Sequence, residues 1–322
     1  MKTYVLRRII ISIPLLLAIS FMTFGILQLA PGDYVDTLAL NPQISKETLE
    51  QYRHQYHLDE NWIVQYVYWL KGVVTLDFGR SFDNDRPVLS IIKERAFNTI
   101  LLSILSIIFT WLFAIPLGIY CAVKQYKLGD KIFSVLSYIG FSSPSFLIAL
   151  LLLWLFGSYW DILPIGGVHS DNYEELSWFL RIWDLGKHAF IPVIAISVGT
   201  MAAFQRIMRG NMLEVLRSQY LMTARAKGLP ENRVIYGHAL RNAVNPMITI
   251  FGYQLSGLLS SAALTEIVCS WPGLGLLMLN AVRSQDVYLV MANVFMSGVL
   301  LVFGNLTADI LLAAVDPRIQ VS

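Results

Sequence analysis

Long apolar runs decide what this chain can become. About six stretches of roughly 20 or more residues each lie near 9–30, 97–123, 132–157, 188–208, 244–266 and 288–314. Hydrocarbon gives backbone N–H and C=O groups no partners, so runs of this length must close their hydrogen bonds internally as helices. Pro14, Pro116, Pro144 and Pro192 fall inside these runs or near their ends. They are tolerated where neighbouring helices re-satisfy the freed groups. Only 14% of the residues are charged and 56% are hydrophobic, against about a quarter charged in soluble domains. The expectation is an all-α, polytopic membrane protein with six transmembrane helices.

Charge sets the orientation. With the N-terminus inside, the inner segments hold Lys2, Arg7, Arg8, Lys124, Lys127, Lys131, Arg206, Arg209, Arg217, Arg225, Lys227, Arg233, Arg241 and Arg318. The outer segments hold Lys46, Arg53, Lys71, Arg80, Arg86, Lys93, Arg95, Arg181, Lys187 and Arg283, mostly within one long stretch. Positive residues in short loops mark the cytoplasmic side, so both termini are expected there. The first run exceeds the roughly 7–15 residues of a signal core, and Ala30–Pro31 is a poor cleavage junction, so it reads as a retained span. A net charge of +2 gives no sign of a nucleic-acid partner. Cys121 and Cys269 fall near opposite membrane faces on this topology and read as packing residues rather than a disulfide.

The expected organisation is an N-terminal helix at 1–30, an extracytoplasmic segment at 31–96, a five-helix core at 97–314 and a tail at 315–322. In the outer segment, Leu49, Tyr52 and Tyr56 share a helical face behind a Ser45 cap, and Ile63, Tyr66, Val67 and Leu70 make a second face. Interfacial anchoring and contact with a substrate-delivering partner both remain open for these two helices. The stretch 158–187, with Trp178 and Trp183, reads as another rim element. His54 and His57 at i and i+3, near Glu50 and Asp59, have the spacing of a metal pair, but a solvated face is the commoner outcome, and no metal site is assigned.

The core is interrupted by a polar, basic segment over 209–243. Ser218 can cap a helix running through Lys227, with Arg225 and Lys227 at its C-terminal end where cations suit the helix dipole. Gly228 suits the position after the helix, and Pro230 the first turn of a second helix ending near Leu240. Basic loops are ordinary in polytopic proteins; two short helices bent so regularly at one glycine are not.

The residues TARAKGLPE at 223–231, HALRNA at 238–243 and Pro246 resemble the cytoplasmic loop of binding-protein-dependent ABC transporter permeases. The best fit is the branch importing dipeptides, oligopeptides, nickel and glutathione. The resemblance covers nearly the whole chain, through RRIIISIPLLLAISFMTFGILQLAPGD at 7–33, DFGRSF at 77–82, EVLRSQY at 214–220, WPGLG at 271–275 and DPR at 316–318. Where the wider superfamily carries Glu-Ala-Ala before the glycine, this chain has Met222, Thr223 and Ala224, so no essential acidic residue is carried over. The resemblance implies a type I importer permease fold in a bacterial or archaeal plasma (inner) membrane. It implies that Tyr220, Thr223, Ala224, Arg225, Ala226, Lys227, Gly228 and Leu229 form a coupling helix and bend. That element would sit in a groove on a separate ATP-hydrolysing subunit. The implied partners are two such ATP-binding subunits carrying ATP and magnesium, a second homologous permease completing a heterodimer, an extracytoplasmic solute-binding protein and the lipid itself. Peptides are the expected cargo; nickel, a metallophore complex or glutathione are the alternatives.

The chain carries no G-x-x-x-x-G-K-[ST], G-x-S-x-G or H-E-x-x-H pattern, so neither catalytic residues nor a cofactor site is assigned to it. Polar residues in or near spans are the gate or pathway candidates. Asp309 fits an ion pair with Arg318, a conformational latch or a proton relay, the last being the residue an ion-coupled transporter would need. Glu266 fits an outer gate, a contact to a substrate amine or an ordinary rim carboxylate. Asn305 fits a bridge between helices. Trp271, Pro272 and Gly273 fit either a short plug helix opened by Pro272 or a tight turn. Gly252, Ser256 and Ser260 mark a face for close helix packing.

Overall fold

The computed structural model describes residues 2–29, 32–39, 44–55, 57–247, 250 and 262–315. Among these residues the chain is built from helices and turns, with one isolated bridge between Arg80 and Pro87. Among the described residues, four helices are long and apolar enough to cross a membrane: α1 (Lys2–Leu29), α5 (Val88–Val123), α8 (Trp178–Leu216) and α13 (Val287–Val315). Helices α5 and α8 extend well beyond the apolar runs that announce them. Their extra turns carry charged residues, including Lys93, Arg95, Arg181, Lys187 and Arg209, on helix rather than in loops.

The run at 132–157 is not one straight span. Helix α6 (Leu128–Ser142) and helix α7 (Ser145–Leu152, continued as a π-helix over Leu153–Tyr159) meet at 107°. The cause is Pro144, which lacks an N–H and pushes the residue before it out of helical conformation; Ser143 is extended at φ −90, ψ 127. Most of the run at 244–266, with Gly252, Ser256 and Ser260, lies outside the described residues, as does Arg318.

The chain divides into two compact units, Met1–Thr99 with Pro272–Phe303, and Ile100–Trp271 with Gly304–Ser322. The first unit contains α1, α2 (Tyr34–Ala39), α3 (Lys46–Gln55), α4 (Trp62–Val74) and α12 (Leu274–Arg283), with parts of α5 and α13. Its core gathers Phe24, Tyr66, Trp69, Ile92, Leu277 and Met291. Ser45 does cap α3, accepting from the Thr48 N–H at 3.2 Å. Helix α4 turns Tyr66 and Trp69 inward and leaves Ile63 and Val67 exposed, so its buried face is rotated from the one the spacing suggests. On that face Tyr66 packs against Phe24 and Trp69 against Phe295. His57 lies past the end of α3 with φ 53 and stacks on Tyr68, while His54 pairs with Asp59 at 3.1 Å. The two imidazoles therefore do not share a helical face.

One buried carboxylate organises the loop bearing DFGRSF. Asp286, with no exposed surface, accepts from Ser81 Oγ (2.6 Å), the Phe82 N–H (2.8 Å) and the Leu289 N–H (3.1 Å). Gly79, at φ +81, lets the loop lie against Tyr288, whose ring would stand 3.1 Å from a Cβ there.

The second unit contains α6 to α8, α9 (Gln219–Ala226), α10 (a π turn Arg233–Ala239 followed by Leu240–Ala243) and α11 (262–268), with parts of α5 and α13. Helix α6 is fastened along α8 by Asp130–Arg209, by Ser137 Oγ donating to Gln205 Oε1 at 2.8 Å, and by Arg206 stacked over Phe141 at 4.4 Å.

Candidate functional site: a braced helical elbow

The polar segment folds as an elbow. Helix α8 ends at Leu216, and Ser218 turns the chain with extended backbone at ψ 147. Ser218 occupies the cap position, but its hydroxyl donates back to the Val215 carbonyl at 2.6 Å instead of accepting from α9. The competing acceptor is the end of α8 itself, whose last carbonyls lack helical partners.

Helix α9 ends as its sequence suggests. The Gly228 N–H donates to the Arg225 carbonyl (2.9 Å) and the Leu229 N–H reaches back to the Ala224 carbonyl (3.4 Å). This is the paired C-terminal closure that requires a left-handed residue, and Gly228 has φ +79. The flanking apolar pair, Ala224 and Leu229, packs inward on one cluster, as this closure favours. The Pro230 carbonyl then accepts from Arg233 (2.8 Å) and Val234 (3.1 Å), starting α10.

Side chains brace both ends of the elbow. At the bend, Arg225 binds Glu231 through Nε (3.2 Å) and Nη2 (2.8 Å). This pairing raises the Arg225 guanidinium and lowers the Glu231 carboxyl from their ordinary values. At the open end, Asn242 Nδ2 donates to the Tyr220 hydroxyl at 2.7 Å. The elbow is fixed to its support where Asn211 Nδ2, on α8, donates to the Ala243 carbonyl at 3.1 Å. Leu221, Val234, Ile235, Ala239 and Ala243 are buried against Phe204, Met208 and Met212 of α8. Any displacement of the elbow must therefore move α8, because packed interiors resist independent sliding.

Of the residues singled out from sequence, Tyr220, Thr223, Arg225, Ala226, Lys227 and Gly228 are exposed, while Ala224 and Leu229 are half-buried. Glu231, Asn242 and Asn211 had not been singled out, although opposite charges flanking a Gly-Leu-Pro bend are a readable sign of the first. Exposed Met222 and Tyr236 add apolar surface to the outer side. Close by, Asp130 receives both Nε (2.7 Å) and Nη2 (2.9 Å) of Arg209, with its side chain only 4% exposed.

The gate and pathway candidates are divided between the two units. Glu266 is fully buried, which excludes an exposed rim carboxylate, and its carbonyl accepts from the Trp271 N–H at 2.8 Å. Trp271, also fully buried, packs with Leu102, Ile107 and Val193. In the other unit, Pro272 stands before the helix rather than opening it, since Gly273 is the residue preceding Leu274 at the start of α12. Asn98 Nδ2 donates to the Pro272 carbonyl, Asn293 Nδ2 donates to the Leu274 carbonyl, and Thr99 Oγ1 accepts from the Leu274 N–H, all at 2.9 Å. Asn305 and Asp309, in the second unit, are half-buried.

Comparison with known proteins places this architecture. Residues 114–321 match the family model for binding-protein-dependent transport system inner membrane components, and residues 1–104 match the model for the N-terminal part of such components. The oligopeptide transport system permease protein AppB of Bacillus subtilis is 39% identical over 99% of this chain and 100% of its own length. The dipeptide transport system permease protein DppB of Escherichia coli (strain K12) is 34% identical over 99% of both chains. A putative peptide permease protein of Brucella ovis is 35% identical over the full length of both. With matches that cover the elbow and both units together, this chain belongs to the family of binding-protein-dependent transport system inner membrane components.

Proposed function

We propose that this chain is a membrane-embedded permease subunit of an ATP-driven peptide importer. The observation that carries the reading is end-to-end similarity to relatives named as oligopeptide and dipeptide transport permeases. The relatives described above are named for oligopeptide, dipeptide or peptide transport, and the nickel alternative is not favoured. The chain supplies the passage, and ATP with magnesium is handled by separate subunits.

The elbow at α9–α10 is the handle those subunits grip. Its exposed side presents Tyr220, Met222, Thr223, Lys227 and Tyr236, a mixed apolar and basic face suited to a protein groove. Its inner side is braced to α8, so closure of two ATP-binding subunits is transmitted to the spans. The excess of Lys and Arg supports a cytoplasmic elbow and cytoplasmic termini. A solute-binding protein delivers the peptide on the other side, and a second, homologous permease completes the passage.

The test is reconstitution in liposomes of this chain with its partner permease, the ATP-binding subunits and the binding protein. ATP-dependent uptake of radiolabelled di- and oligopeptides is expected. Uptake by this chain alone, driven by an ion gradient, would replace this reading with a secondary transporter.

A further inference from the structure

The break between α6 and α7 is a feature the elbow does not use. Pro144 has no N–H, so the carbonyl of Gly140, four residues earlier, loses its helical donor. The neighbouring hydroxyls do not repair this: Ser142 Oγ (3.0 Å) and Ser143 Oγ (2.8 Å) both donate to the Ile139 carbonyl instead. Non-helical backbone inside an apolar span is tolerated where protein buries it or where it borders a water-filled space. Beside this break lies an open cavity of about 370 Å³, bordered by Phe141, Ser143, Ser145, Gly199, Thr200 and Ala203. A Cβ on Gly199 would stand 3.6 Å from the Gly140 oxygen, so the freed carbonyl faces the glycine on the cavity wall.

The wall chemistry is specific in kind. It offers the hydroxyl oxygens of Ser143, Ser145 and Thr200, the Phe141 ring, the aliphatic Ile196, and the small residues Ala195, Gly199 and Ala203 that leave width. Among the described residues, no charged side chain borders it. Such a wall matches the repeating N–H and C=O groups of a peptide main chain and is indifferent to side-chain charge. It would also hold cargo weakly enough to release it, as conduction requires.

We propose that this cavity is a station on the translocation path. There the Ser143 and Thr200 hydroxyl oxygens accept from the cargo's backbone amides, and Gly199 sets the clearance. The assignment rests on the reading of this chain as a peptide importer, and two measurements on the complete reconstituted complex separate them. The first does not depend on cargo. A Gly199→Cys variant, whose side chain has room, is treated with a charged, water-soluble thiol reagent; the native Cys121 and Cys269 are buried. Labelling at 199 is expected, and failure to label overturns the proposal.

The second measurement is import of labelled trialanine. Gly199→Leu is expected to lower it about tenfold, with Gly199→Ala and Thr200→Val giving smaller losses, while ATP hydrolysis stimulated by the loaded binding protein persists. Unchanged import in all three variants, or import and ATP hydrolysis falling in parallel, overturns the proposal. Should the unmodified complex import no peptide while position 199 still labels, the peptide assignment fails, and with it the amide-binding role of the cavity.

Discussion

Gly228 shows how one residue can matter without touching anything. A Cβ added there would meet no atom within 4 Å, so the position is not a packing constraint. What a side chain would disturb is the backbone at φ +79. Left-handed geometry costs an ordinary L-residue about 1–2 kcal/mol, less for Asn and more for β-branched residues. Gly228→Val should therefore insert normally yet lower the ratio of peptide imported to ATP hydrolysed, and Gly228→Asn should do so less. A steric role would rank these two by size alone, so normal coupling in the Val variant counts against the handle. Asp286 is the opposite case, defined wholly by its contacts. Burial raises its carboxyl above the ordinary value, against the pull of Ser81 and three backbone donors. A raised folded value means that its stabilising contribution is complete below the ordinary range of about 4 and is lost as pH rises through the folded value. Asp286→Asn should flatten that decline in thermal unfolding scans. Asp286→Ala should cost about 1–3 kcal/mol by stranding buried donors.

At the scale of elements, the elbow was legible because it is local. Gly228, Pro230 and the basic end of α9 carry their signals within a dozen residues. The spans were legible as apolar runs, but their lengths were not: charged residues on α5 and α8 find partners in space, as Arg209 finds Asp130, and so continue the helix past the apolar stretch. The 107° bend at Pro144 could not be told from a mild kink, because the angle depends on what packs around it. Asp286 could not be connected with Ser81, 205 residues away in sequence. The same locality makes the elbow testable by itself. Arg225 lowers the Glu231 carboxyl, so the pair's stabilisation is present above the ordinary glutamate value of about 4.3 and is lost as pH falls through the folded value. Both side chains are largely solvated, at 37% and 56% exposure, so the effect is small. Glu231→Gln should speed hydrogen exchange of the Leu229 amide a few-fold at neutral pH, and the difference from the parent should vanish well below pH 4. A difference that persisted in acid would assign the elbow's rigidity to packing alone.

At the scale of the whole molecule, orientation decides whether the elbow can meet an ATP-hydrolysing partner at all. The argument from charge changes once the helices are placed. Arg206 and Arg209 belong to α8, where one stacks on Phe141 and the other pairs with Asp130, so neither is a free loop charge. Lys93, Arg95, Arg181 and Lys187 on the opposite count also belong to helices, with Lys187 over the Trp183 ring. Setting aside every helical charge leaves, among the described residues, Lys124, Lys127, Arg217 and Lys227 in short connections, against Arg80 and Arg86 in the long stretch before α5. Short connections are the ones that set topology. In intact cells, a membrane-impermeant thiol reagent should therefore label Lys46→Cys and spare Lys227→Cys, which becomes reactive only after the membrane is opened. The reverse pattern would put the handle on the side without ATP. The family assignment would survive that result, but the elbow could no longer be the coupling element, and the work of hydrolysis would have to enter through another connection.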